Sequence, residues 1–147
     1  MSTPDTDKHQ LEEGDSLTPR FDGNGLIPVI CTDQGTGVVL MFAWMNEEAL
    51  QLSIETGNAW YWSRSRKKLW QKGESSGNTQ SIVDMRTDCD QDVIWITVNQ
   101  QGGAACHTGR KSCFYRRVET GSQKTDAARL THVDAERLFD PNEIYKR

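Results

Sequence analysis

The stretch Asp92-Val93-Ile94-Trp95-Ile96-Thr97-Val98-Asn99 decides the fold. Successive side chains of a strand point to opposite faces, so Val93, Trp95 and Thr97 form one row and Ile94, Ile96 and Val98 the other. Both rows are largely apolar, which places this strand centrally in a sheet, with cover on each side. Gln80 to Thr87 reads as a strand before it. Leu26 to Thr32 and Val38 to Trp44 read as a hairpin about the turn Asp33-Gln34-Gly35-Thr36-Gly37. Cys31 in that hairpin reads as a small buried hydrophobe. Asn46 is a good N-cap, Glu47 and Glu48 follow in the first turn, and Gly57 is a stop. They predict a short amphipathic helix, with Ala49, Leu50, Leu52, Ser53 and Ile54 as its inner stripe. Ala59 to Ser65 is a further strand, with Trp60 and Trp62 on one face and Tyr61 on the other. Cys113 to Val118 predicts the last strand. The pattern is that of a mainly β (α+β) domain.

The chain has 147 residues, enough for one domain with its own core. Its apolar fraction of 35% is low, so part of the chain is expected outside that core. Residues 1–20 are expected as a mobile polar tail, 21–118 as the folded domain and 119–147 as a polar extension with a short helix over Val133 to Phe139. A net charge of -4 and a pI of about 5.4, without a basic stretch, argue against long nucleic acid as a partner. They leave room for a small anionic ligand held by local Arg and Lys. The longest apolar run, Val38 to Met45, falls short of the roughly 20 residues of a bilayer span, so no membrane partner is expected. The N-terminus lacks a basic-then-apolar signal pattern. A cytoplasmic location is expected, where thiols stay reduced and clustered cysteines more often bind metal than form disulfides.

Two ligand chemistries interleave around Asp88-Cys89-Asp90-Gln91-Asp92 and Cys106-His107-Thr108-Gly109-Arg110-Lys111-Ser112-Cys113. Thiolate is a soft ligand suited to zinc, carboxylate a hard one suited to magnesium or calcium. No C-x-x-C pair occurs, which removes the zinc-ribbon, zinc-finger and thioredoxin-like readings. Three thiolates leave a tetrahedral zinc one ligand short, as in a catalytic site with water in the fourth position. The alternatives are a structural site closed by His107, against which stands the strain of adjacent Cys106 and His107 on one ion, and cysteines without metal. The aspartates resemble the start of an EF-hand loop but fail its later positions, where Val93 and Asn99 stand. In a straight strand Asp88 and Asp92 would lie about 13 Å apart, too far for one Mg2+. Either the segment bends, or a second chain or a substrate phosphate completes the site; the plain alternative is a solvated polar turn. Ser63-Arg64-Ser65-Arg66 offers hydroxyls and guanidinium forks that grip phosphate, or else a solvated turn.

Met45-Asn46-Glu47-Glu48-Ala49-Leu50, Thr56-Gly57, Trp62-Ser63-Arg64-Ser65-Arg66, Leu69-Trp70-Gln71-Lys72-Gly73-Glu74-Ser75-Ser76-Gly77, the aspartate run, Ala105-Cys106-His107-Thr108-Gly109 and Ser112-Cys113-Phe114 follow one another in order. Together they resemble the phosphoribosyl-AMP cyclohydrolase family of histidine biosynthesis, over residues 21 to 118. The resemblance implies an intertwined homodimer, each subunit a small curled antiparallel sheet or pseudobarrel capped by a short helix. It implies one zinc per subunit on Cys89, Cys106 and Cys113, shared between subunits, and one Mg2+ per subunit on Asp88, Asp90 and Asp92. The chain after Val118 is too short for the pyrophosphohydrolase domain fused in some members, so a monofunctional enzyme is expected.

The implied reaction is hydrolytic opening of the adenine ring of 1-(5-phosphoribosyl)-AMP at its N1–C6 bond, by water activated on zinc with Mg2+ assisting. His107 is assigned as proton shuttle; its alternative is to orient a thiolate. Arg64 and Arg66, with Ser63 and Ser65, are the candidates for the two phosphates. Trp62 or Trp70 is the candidate for stacking on the purine. A zinc nucleotide deaminase would show H-x-E and P-C-x-x-C, and neither occurs. A structural-zinc module would leave the aspartates and the Ser-Arg-Ser-Arg run without a role.

Overall fold

The computed structural model describes residues 4–74, 77–121, 128–133 and 138. Its elements are α1 (Pro4–Glu13), β1 (Ile27–Asp33), β2 (Val39–Met45), α2 (Glu47–Thr56), β3 (Trp60–Ser63), β4 (Lys68–Gln71), β5 (Gln80–Thr87), β6 (Ile94–Gln100), β7 (Arg116–Val118) and β8 (Leu130–His132). The main sheet has the order β2-β1-β6-β5. The doubly apolar stretch is thus an interior strand, as its pattern requires. Ile94, Ile96 and Val98 are buried with Ile27, Val29 and Cys31 of β1 and Leu40 and Met45 of β2. The second row differs from the expectation of cover on both sides. Trp95 is in register with Ile30, and Ile30 with Phe42, and all three are exposed.

The expected antiparallel sheet needs one correction. β1 runs antiparallel to β2, and β5 to β6, but β1 and β6 are parallel. A parallel neighbour requires a long crossover instead of a tight turn. The chain supplies it through α2 and the antiparallel β3–β4 hairpin. Nor does the sheet close as a pseudobarrel: among the described residues it stays open, with β2 and β5 at its edges. Both edges are shielded, which guards against pairing with other chains. Ile82 N donates to Gly57 O at 2.7 Å and Ala59 N to Gln80 O at 3.0 Å along β5. Cys113 N donates to Leu40 O at 2.7 Å and Ser112 Oγ to Val39 O at 2.7 Å along β2.

Helix α2 starts and stops where its caps dictate. Asn46 Oδ1 accepts from Ala49 N at 2.8 Å, and Gly57 takes the left-handed conformation at φ 73°. Its inner face buries Ala49, Leu50 and Ser53. Ser53 Oγ accepts from Trp60 N at 3.0 Å, which docks the helix on β3. Beyond it Tyr61 is fully buried and donates to Gln80 Oε1 at 2.6 Å.

The ends depart from the sequence reading. Residues expected as a polar tail include α1, where Pro4 and the acidic Asp5 and Asp7 suit a helix start. The strand expected from Cys113 is shortened to β7, because Ser112 and Cys113 pair with the edge of β2 instead. β7 pairs with β8, which the sequence reading left out. The helix expected over Val133 to Phe139 falls mostly outside the described residues. No helix among the described residues is long and apolar enough to cross a membrane.

Candidate functional site

The loop between β5 and β6 carries the carboxylates. Gln91 N donates to Asp88 O at 3.1 Å. Asp88 Oδ1 accepts from Asp92 N at 3.0 Å and Val93 N at 3.2 Å. Gln91 completes the turn in the left-handed conformation, φ 54°. The bend brings ligand oxygens of Asp88, Asp90 and Asp92 within 4.8 Å of one another, all on exposed residues. A single chain therefore gathers the triplet that a straight strand would spread. Burial pushes the Asp88 carboxyl up, but the hydrogen bonds it accepts from Asp92 and Val93 hold it below the usual carboxylate range. The hydrogen bond to Asp88, and the charges of Asp88 and Asp90, push Asp92 up. A hard divalent cation among these oxygens would relieve that repulsion, so the donor set fits Mg2+.

The thiols divide differently. Cys113 is placed by its bond to the β2 edge. Cys106 is placed by a tight loop in which Ala105 N donates to Lys111 O at 3.0 Å and Cys106 N to Arg110 O at 3.1 Å. The neighbouring Cys113 thiol, with Thr108 Oγ1 at 3.0 Å from Cys106 Sγ, holds Cys106 below the usual thiol range, while Cys106 and burial push Cys113 up. The two sulfurs are a soft donor pair that fits part of a zinc site. Cys89 is exposed on the aspartate loop. Among the described residues, the aspartate triplet is the sole group of three or more ligand-type side chains that converges, so Cys89 does not join Cys106 and Cys113 within one chain. Cys31 is buried, and burial pushes its thiol up to about 12, as expected of a core residue.

Beside the thiol pair lies a cavity of about 370 Å³ lined by Met41, Phe42, Arg66, Trp70, Lys72, Glu74, His107 and Cys113, among others. It gathers four of the residues singled out in the sequence: Arg66, Trp70, His107 and Cys113. Trp62, Ser63, Arg64 and Ser65 do not line it. Arg64 lies over the Trp44 ring at 4.8 Å. Ser63 Oγ accepts from Arg66 N at 3.2 Å and lies 3.4 Å from Ser65 Oγ, shaping the β3–β4 turn. The sequence reading missed Lys72. Its backbone N donates to Ala59 O, and its buried Nζ donates to Ala105 O, next to Cys106. Burial pulls Lys72 down, against the neighbouring Cys113, Cys106 and Cys31. The available signal was spacing: two residues apart at a strand end, Trp70 and Lys72 share a face, and Nζ lies 5.8 Å from the Trp70 ring.

Fold and side chains together describe a small, mainly β protein with carboxylates and thiols on separate loops. The family model described as phosphoribosyl-AMP cyclohydrolase matches residues 41–115. A phosphoribosyl-AMP cyclohydrolase of Bradyrhizobium diazoefficiens is 60% identical over 139 residues, 95% of this chain and 96% of that protein. One of Nitrobacter hamburgensis is 57% identical over 148 aligned positions, 100% of this chain and 99% of that protein. One of Nitrobacter winogradskyi is 61% identical over 137 residues, 93% and 92% of the two chains. The chain belongs to the phosphoribosyl-AMP cyclohydrolase family.

Proposed function

We propose that the chain opens the adenine ring of 1-(5-phosphoribosyl)-AMP at N1–C6, giving the formimino aminoimidazole carboxamide ribonucleotide of L-histidine biosynthesis. The cavity that gathers Trp70, Arg66, Lys72, His107 and Cys113 carries this reading. It sets an aromatic face, a guanidinium for phosphate and an imidazole around one space. Substitution at N1 leaves the amidine electron-poor and C6 electrophilic. Water adds at C6, and the tetrahedral carbon collapses with cleavage of N1–C6. C6 becomes the carboxamide carbon, and N1 stays on the formimino carbon. Nothing departs, because the broken bond lay within a ring. His107 takes the proton of the added water and returns it to N1. Trp70 stacks on the purine and Arg66 holds a phosphate. Lys72 fixes the Ala105 carbonyl and with it the Cys106 loop.

Zinc on Cys106, Cys113 and the Cys89 of a second copy would supply Lewis-acid activation of the water. Mg2+ on Asp88, Asp90 and Asp92 would neutralise substrate phosphate. Two observations support a homodimer that shares its zinc site: Cys89 is separated from the thiol pair within one chain, and the row Phe42–Ile30–Trp95 is exposed on the sheet. We place the enzyme in the cytoplasm, where its four free cysteines would stay reduced.

Zinc- and Mg2+-loaded protein is mixed with N1-phosphoribosyl-AMP, and the ultraviolet spectrum is followed beside an ammonia assay. The expected result is ring opening without ammonia. Ammonia release would replace the reading with deamination, and an unchanged spectrum would overturn it.

A further inference from the structure

We propose that the N-terminal segment Leu11 to Arg20 is a structural part of the carboxylate site, and that Gln91 is the positioning residue that joins them. This rests on the Mg2+ reading of the aspartate triplet. Gln91 stands between Asp90 and Asp92, yet the residue is only 4% exposed and its amide is spent on the N-terminal segment. Nε2 donates to Leu11 O at 2.9 Å and to Ser16 O at 3.4 Å. Oε1 accepts from Thr18 N at 2.7 Å. The Gln91 carbonyl accepts from Arg20 N at 2.7 Å.

These bonds meet at a residue with an unfavourable backbone. A left-handed φ of 54° is an unfavourable conformation for a non-glycine residue, because Cβ crowds the following carbonyl oxygen. Glycine would adopt it freely but would leave the carbonyls of Leu11 and Ser16 without their amide donor. The side chain therefore offsets the strain of the turn that folds Asp88 onto Asp92. The segment also flanks the loop on two sides. Asp90 shares a cavity of about 620 Å³ with Lys8, Leu11 and Arg20. Asp88 and Cys89 share one of about 300 Å³ with Leu11, Ser16 and Leu17. Loosening the segment should let the three carboxylates spread.

The test uses full-length protein with Mn2+ as the probe, its binding read by paramagnetic resonance. Wild type, Asp90→Asn, Gln91→Gly and Thr18→Pro are compared. Gln91→Gly keeps the left-handed backbone and removes the amide. Thr18→Pro deletes the N–H given to Gln91 Oε1 and leaves the loop's own residues unsubstituted. Thermal melting and hydrogen exchange over residues 11–20 report whether each variant is folded and whether the segment has loosened. The expected result is Mn2+ affinity lower by about 10- to 100-fold in both variants, with zinc content unchanged. Wild-type affinity in both, with the segment exchanging faster and Asp90→Asn still losing Mn2+, overturns the positioning role and spares the cation reading. Equal Mn2+ binding by wild type and Asp90→Asn removes the cation reading, and the proposal with it.

Discussion

Cys89 and the Cys106–Cys113 pair form no common group within one chain, and this makes a shared zinc site testable by complementation. The perturbation is Cys89→Ala in one chain and Cys106→Ala in another. Cys89 is exposed and Cys106 contributes only its small buried thiol, so both variants should fold. If Cys89 of one subunit joins Cys106 and Cys113 of the other, each mutant homodimer has two broken sites. The heterodimer then has one site with both lesions and one with none. Random pairing makes half of all dimers heterodimers, each with one intact site of two, so the mixture should recover about a quarter of wild-type activity on two-fold symmetry. Differently tagged chains allow the heterodimer to be purified, and zinc content and ring-opening rate are both read. Were all three ligands from one chain, every site in the mixture would be broken. A purified heterodimer with neither zinc nor activity would falsify the shared site.

His107→Ala should lower turnover by about 100- to 10,000-fold with zinc retained, as expected for loss of a proton shuttle; a drop of only a few-fold would assign the imidazole to orienting a thiolate. Lys72→Met leaves the Ala105 carbonyl without its buried donor and should cost about 1–3 kcal/mol in urea unfolding. Unchanged stability would mean that this carbonyl finds water. Cys31 should resist alkylation in the native protein and react on unfolding. Its folded pKa, about 12, lies above that of a free thiol, about 8.5. Between those values the unfolded chain binds fewer protons, so the thiol's contribution to stability is lost as pH rises through this window. Alkaline unfolding curves of wild type and Cys31→Ala should diverge there, and parallel curves would refute the assignment.

Much of this architecture could be read from local signals. The doubly apolar stretch announced an interior strand, and Asn46 and Gly57 marked the ends of α2. A bend among the aspartates was one of the alternatives that the reach of a small cation left open, and the chain does bend there. Long-range pairing was less visible. Nothing in either segment says that β1 lies parallel to β6, because that choice depends on the crossover between them. Lys72 was hidden by its polar neighbours Gln71, Gly73 and Glu74, although its strand face is that of Trp70. The Ser-Arg-Ser-Arg run separated into Arg66, which lines the cavity, and Arg64, which lies over Trp44. In the N-terminal stretch the scarcity of apolar residues concealed attachment by backbone carbonyls to one glutamine, a bond type that composition does not register.

The parallel pairing of β1 with β6 also sets an order of events during synthesis. Val29 must meet Ile94, and Cys31 must meet Ile96, before the inner edge of β1 is satisfied. The β1–β2 hairpin leaves the ribosome first and forms locally, with that edge bare. Contacts between residues so far apart in sequence close slowly, since the intervening chain must be ordered before it is rewarded. Until β6 emerges, the nascent chain presents an unpaired strand and an apolar face that are later interior, the condition in which chaperones are most needed.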